Sequence, residues 1–72
     1  MKRYLIVIEN TGTGFSVYSP DLEGCAASGF TKEEAEKNML EAIRVHLQGL
    51  KDEGYKIPES KCYAKYLEIT DQ

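Results

Sequence analysis

The stretch Gly29-Phe30-Thr31-Lys32-Glu33-Glu34-Ala35-Glu36-Lys37-Asn38-Met39-Leu40-Glu41-Ala42-Ile43 decides the fold, because the chain changes periodicity within it. Thr31-Lys32-Glu33-Glu34 is a capping box: the threonine oxygen accepts from the Glu34 amide while the Glu34 carboxylate reaches back to free donors at the helix start. Acidic residues at 33, 34 and 36 suit the positive end of a helix. Beyond the cap, Ala35, Met39, Ala42, Ile43, His46 and Leu50 recur at helical spacing and form one stripe, so Ile43 is expected to be buried. Lys37, Arg44, Gln48 and Lys51 lie opposite, in water. Gly54 supplies the stop, and Pro58 prevents resumption. A helix of about 22 residues, roughly 33 Å long, follows.

Upstream the period is two. Tyr4-Leu5-Ile6-Val7-Ile8 is a continuous apolar run, which predicts a central strand covered on both faces. Tyr4, Ile6 and Ile8 point one way and Leu5 and Val7 the other. Asn10-Thr11-Gly12-Thr13-Gly14 reads as a hairpin loop and Phe15 to Ser19 as a second strand. Pro20-Asp21-Leu22-Glu23-Gly24 is a turn, proline presetting φ and glycine permitting positive φ. Cys25 to Phe30 is a third strand of small residues that lets something pack closely over it. Downstream of the helix, Lys61 to Ile69 alternates Tyr63, Lys65, Leu67 and Ile69 with Cys62, Ala64, Tyr66 and Glu68, which predicts a fourth strand.

The expected architecture is α+β, βββαβ: a four-stranded mixed sheet in the order 3-2-1-4 with one long helix on one face. The helix acts as a right-handed crossover that brings strand four parallel to strand one. Residues 1–72 are expected to form a single domain. One helix covers one sheet face, so Leu5, Val7 and Tyr18 are expected on the other, and a bare apolar face meets another protein.

Composition narrows the function classes. An apolar share of 42% and a charged share of 29% describe a globular chain, with five tyrosines and two phenylalanines to anchor a small core. A core that small favours a homodimer or higher assembly. The net charge of -3 disfavours non-specific nucleic-acid binding and suits a basic partner. The apolar run ending at Glu9 is too short for a signal peptide or membrane span, so the cytosol is the expected location, with no membrane partner. Cys25 and Cys62 are too few for a disulfide framework, and in the order 3-2-1-4 they lie on opposite edges, beyond bridging distance.

Several residues carry the candidate site. Asp21 and Glu23, flanking Leu22 on a short rigid loop, suit basic side chains, and both carboxylates are expected at the surface. Leu5, Val7 and Tyr18 add the open sheet face. Leu40 and Leu47, seven residues apart on the helix flank, either wrap the sheet edge or meet a second chain. His46 reads as a core-edge histidine; no second histidine and no Cys-His spacing suggests a metal, and no cofactor is expected. A nuclease would need converging carboxylates, and Glu9, Glu41, Glu68 and Asp71 do not obviously converge.

Three segments in fixed order carry a family resemblance: Phe15-Ser16-Val17-Tyr18-Ser19-Pro20-Asp21-Leu22-Glu23-Gly24-Cys25, Gly29-Phe30-Thr31-Lys32-Glu33-Glu34-Ala35 and Gly54-Tyr55-Lys56-Ile57-Pro58-Glu59-Ser60. With them the chain resembles the HicB antitoxins of HicA–HicB toxin–antitoxin systems. The resemblance implies a partial RNase H-like fold, a non-enzymatic role, and a HicA-like toxin partner: a small basic mRNA interferase whose RNA site is occluded. The chain carries neither helix-turn-helix nor ribbon-helix-helix sequence, so no direct nucleic-acid contact is expected. Two other readings stand beside this one: a solitary HicB-like interaction domain without a toxin, and an RNase H-like metal-dependent nuclease.

Overall fold

The computed structural model describes residues 2–71. Three strands, β1 (Val7–Asn10), β2 (Phe15–Ser19) and β3 (Leu22–Gly29), form an antiparallel sheet in the order β1-β2-β3 and precede one helix, α1 (Lys32–Asp52). The β1–β2 hairpin closes as its sequence dictates. Thr11 N donates to Gly14 O at 2.9 Å, Gly12 takes a φ of 93°, and the Gly12 amide donates to Asn10 Oδ1 at 2.8 Å.

Register assigns the two sheet faces. Ile8 pairs with Val17 and Val17 with Ala27; one step along, Val7 pairs with Tyr18 and Tyr18 with Ala26. The first set faces α1. Val17, Leu22, Cys25, Ala35 and Met39 make the buried core, with Tyr4, Ile6, Ile8 and Phe15 packed against it. Close approach of α1 to β3 depends on Gly29, where a Cβ would stand 2.5 Å from Ala35 N. The small residues of β3 thus admit the helix itself.

The helix ends follow the capping rules. Thr31 Oγ1 accepts from Glu34 N at 3.0 Å, and Glu34 Oε1 accepts from Phe30 N at 2.7 Å, one residue before the cap. At the other end Tyr55 N donates to Leu50 O and Gly54 N to Lys51 O, with Gly54 at φ 78°, a Schellman closure. Within the stripe Ala35 and Met39 are fully buried, whereas Ile43 is half-buried.

The sheet departs from the sequence expectation in three places. First, the four-stranded mixed sheet of order 3-2-1-4 does not form, so the βββαβ, partial RNase H-like arrangement gives way to βββα. No residue beyond Asp52 lies in a strand or helix among the described ones, and residues 61–71 extend as an arm with Tyr63 95% and Tyr66 99% exposed. Alternation in sequence records what a segment can bury, not which edge it pairs with. Second, β1 is an edge strand and β2 the central one. Ahead of Val7 the backbone of Leu5 is satisfied by side chains: Ser19 Oγ donates to its carbonyl at 2.7 Å, and Asp21 Oδ2 accepts from its amide at 2.9 Å. Third, the β2–β3 turn is shorter than Pro20–Gly24. Ser19 already pairs with Leu22, and Tyr18 then pairs with Ala26, so residues 23–25 form a bulge in which Gly24 holds a φ of 79°.

Candidate functional site

Three surfaces carry the chemistry. The first is the sheet face away from α1. Val7 and Tyr18 are cross-strand neighbours on it, Ala26 continues it, and Leu5 keeps the alternation ahead of β1. Leu5 and Val7 are half-buried and Tyr18 is 43% exposed, with no helix over them. Of the three residues expected on this face, Val7 and Tyr18 are direct cross-strand neighbours and Leu5 lies ahead of the paired strand.

The second is the β2–β3 turn. Its two carboxylates, read from the sequence as a pair, point to different surroundings. Glu23 is exposed on the bulge. Asp21 turns into its own chain: Oδ2 accepts from Leu5 N (2.9 Å) and Ser60 Oγ (2.7 Å), and Oδ1 from Lys61 N (2.9 Å) and Cys62 N (3.0 Å). Donation by the Leu5 and Lys61 amides, then by Ser60, holds this carboxyl well below the usual carboxylate range. Ser19, buried at 5% exposure, accepts from Asp21 N at 3.2 Å and fixes the turn from inside. Leu22, between the carboxylates, is 1% exposed and belongs to the core.

Around this clamp other groups respond. Tyr4 Oη donates to Pro58 O at 2.6 Å; burial raises its pKa, and the negative charges of Asp21 and Glu59 raise it further. The Cys62 thiol is pushed up, first by its hydrogen bond to Asp21. Cys25 is pushed up by burial, and both cysteines are free. The polar contacts of the loop therefore tie Leu5, the turn and residues 60–62 into one unit. The sequence held a signal for this, since an aspartate after proline in a turn often caps nearby amides, but not its distant partners.

The third surface is a groove of about 630 Å³ between the lead-in to β1 and the helix flank. Tyr4, Ile6, Leu40, Ile43 and Leu47 line it, with Lys2, Glu33, Glu36, Lys37 and Arg44 around the rim. Leu40 is 50% exposed, so the flank that the sequence left open between sheet and second chain stands in solvent on one side. On the opposite flank half-buried His46 borders a shallow hollow at the β3 edge together with Ala42, Val45, Cys25 and Ala26. Glu41 is paired with Arg44 at 3.0 Å in an exposed ion pair. Among the described residues no group of three or more His, Cys, Asp or Glu side chains is placed to hold a metal ion. No helix among them is long and apolar enough to cross a membrane.

Fold and surfaces together define a small α+β module with an open apolar sheet face, a carboxylate-tied turn and a side groove. A family described as HicB-like antitoxin of bacterial toxin–antitoxin systems matches residues 4–71, and the chain belongs to that family. A Haemophilus phage HP1 protein from the rep-hol intergenic region is 36% identical over 64 residues, covering 89% of this chain and 48% of the phage protein. A UPF0150 protein of Thermoplasma acidophilum is 40% identical over 61 residues, covering 83% of this chain and 88% of that one. Among solved structures, a chain from a HicA3 and HicB3 toxin–antitoxin complex matches with a TM-score of 0.66 and 42% identity, over 76% of this chain and 64% of the other. This chain thus spans about half the length of the phage relative.

Proposed function

We propose that this domain is an antitoxin module that binds a small basic HicA-type mRNA interferase in the cytosol and occludes its RNA-cleaving site, without catalysis of its own. The observation that carries the reading is the likeness, at 42% identity, to a chain from a toxin–antitoxin complex, on a domain that leaves Leu5, Val7 and Tyr18 uncovered. A half-exposed tyrosine among aliphatic neighbours is the type of anchor that protein interfaces use. The acidic balance and the exposed Glu23 supply attraction for a basic partner. Asp21 is committed to the clamp and Leu22 to the core, so the contact surface is the sheet face with Glu23 at its rim.

Two measurements test this. Co-expression of the domain with a cognate HicA-type toxin is expected to restore growth, and the purified proteins to form a complex that persists at moderate salt while associating more slowly as salt rises. Tyr18→Arg weakens that complex by roughly ten- to a hundred-fold, the loss typical of a central anchor, with helical circular dichroism unchanged. Failure of rescue and of complex formation overturns the antitoxin reading. Rescue and binding that survive Tyr18→Arg and Val7→Arg intact move the contact away from this face.

A further inference from the structure

Beyond Cys62 the chain leaves the body. Tyr63, Tyr66, Leu67 and Ile69 are 95%, 99%, 75% and 83% exposed, the densest run of large apolar side chains given to solvent among the described residues. The molecule measures 53 × 27 × 20 Å in consequence. Water gains nothing from this arrangement, and an extended segment that alternates apolar and polar residues is built to lie along a surface. We propose that the arm of one copy lies in the groove between β1 and α1 of a second copy, whose own arm returns the contact, giving a reciprocally exchanged dimer.

Chemistry, length and origin of the arm all match that groove. Its apolar lining of Tyr4, Ile6, Leu40, Ile43 and Leu47 would take the side of the arm that carries Tyr63, Leu67 and Ile69. Glu33 and Glu36 on the rim offer partners for Lys65, and Lys37 and Arg44 for Glu68. From Tyr63 to Ile69 an extended chain reaches about 20 Å, and the helix from Glu33 to Leu47 rises about 21 Å beside the groove. The edge of β1 facing it has no partner strand among the described residues, and such an edge accepts an extended chain. The occupant comes from another copy because the Asp21 carboxylate pins the Lys61 and Cys62 amides, and beyond that fixed point no arm residue lines its own groove while Tyr63, Leu67 and Ile69 stay exposed. One arm and one groove per copy make a closed two-fold exchange, with no site left over to propagate. Three large side chains per arm, at roughly 100–200 Å² each, and the groove walls they cover bury on the order of 1,500 Å² in the pair, the size of a stable interface. The fold of each copy stays as described, and the contact concerns this chain alone, apart from any toxin.

The test uses the full chain. Sedimentation equilibrium at micromolar concentration is expected to give twice 8.1 kDa. The Leu67→Asp/Ile69→Asp double variant, and separately Leu40→Arg in the groove, are expected to weaken self-association at least a hundred-fold with the helical signal intact. In an equal mixture of isotope-labelled and unlabelled copies, isotope-filtered spectra are expected to show contacts from Leu67 and Ile69 methyls to Ile6, Ile43 and Leu47 between copies. Four results overturn the proposal: a monomer at 100 micromolar, a dimer indifferent to both variants, arm contacts found only within a copy, or an arm that gains protection only when a HicA-type toxin is added.

Discussion

Met39 is the large side chain on which the helix is seated. It is 0% exposed and, with Leu22 and Val17, one of the three largest fully buried side chains. Met39→Ala removes three heavy atoms beyond Cβ, at about 0.8 kcal/mol for each methylene-sized group, hence about 2.5 kcal/mol of lost transfer energy. A residual cavity of some 50 Å³ adds about 1 kcal/mol at the usual cost per volume. The sum is held near 3 kcal/mol because Met39 also borders the side groove, so the space it leaves opens toward solvent instead of persisting as a sealed void. A domain of 72 residues has about 4–11 kcal/mol to lose, so the variant stays mostly folded in buffer yet is sharply weakened. In urea, followed by the circular dichroism of α1 and with an m-value of about 1 kcal/mol/M, the midpoint falls by about 3 M. Met39→Leu keeps the volume and costs under about 1.5 kcal/mol. A loss under about 1 kcal/mol for the alanine variant refutes the packing described for the helix–sheet interface.

Other perturbations probe single devices. Gly29→Ala drives a methyl to 2.5 Å from Ala35 N, a backbone atom that cannot swing aside, and should cost about 1–3 kcal/mol in the same unfolding assay. Thr31→Ala leaves the Glu34 amide without its acceptor and should cost about 1 kcal/mol, read as a lower thermal midpoint with little change in native helix content. Asp21→Asn keeps the shape but removes the charge; the Lys61 and Cys62 amides should exchange with solvent faster while those of β2 and α1 do not. The pH dependence has the sign of a depressed carboxyl. The clamp is fully formed above the ordinary aspartate pKa of about 3.9 and is lost only as pH falls through the lower folded value. Protection of these two amides should therefore be flat from pH 7 to about pH 4 and fall only in stronger acid; a loss already complete by pH 5 contradicts it.

Local chemistry was legible in the sequence, and distant pairing was not. The β2 boundaries, the hairpin turn, the capping box at Thr31 and the stop at Gly54 all depend on residues within five positions of one another, and all match the structure except that Asn10 belongs to β1 and not to the loop. The grouping of Leu5, Val7 and Tyr18 followed from parity alone. Ile43 was placed too deep, because helical spacing gives the direction of a stripe but not how far the sheet extends beneath it. The fourth strand failed for a related reason: the alternation from Cys62 to Ile69 is real, yet the arm stands off the sheet. Asp21 was read as a surface charge because its partners Leu5, Ser60, Lys61 and Cys62 lie 16 and 39–41 residues away, and nothing local announces them.

Those separations bear on the order in which the chain assembles. The strand pairings and the densest helix packing join neighbours in sequence: β1 with β2, β2 with β3, and β3 with α1. Low contact order of this kind lets a nascent chain settle one element at a time as it emerges from the ribosome, with little loop entropy lost at each step. The Tyr4–Pro58 bond and the Asp21 carboxylate reach much further along the chain. That carboxylate waits on its turn, already shaped by Ser19, until some forty further residues have been made, and only then does its charge gather the Ser60 hydroxyl and the two amides after it. The bonds that fix where the arm departs thus form after those of the sheet and helix, so the direction of residues 63–71 is set once the body that aims it is complete.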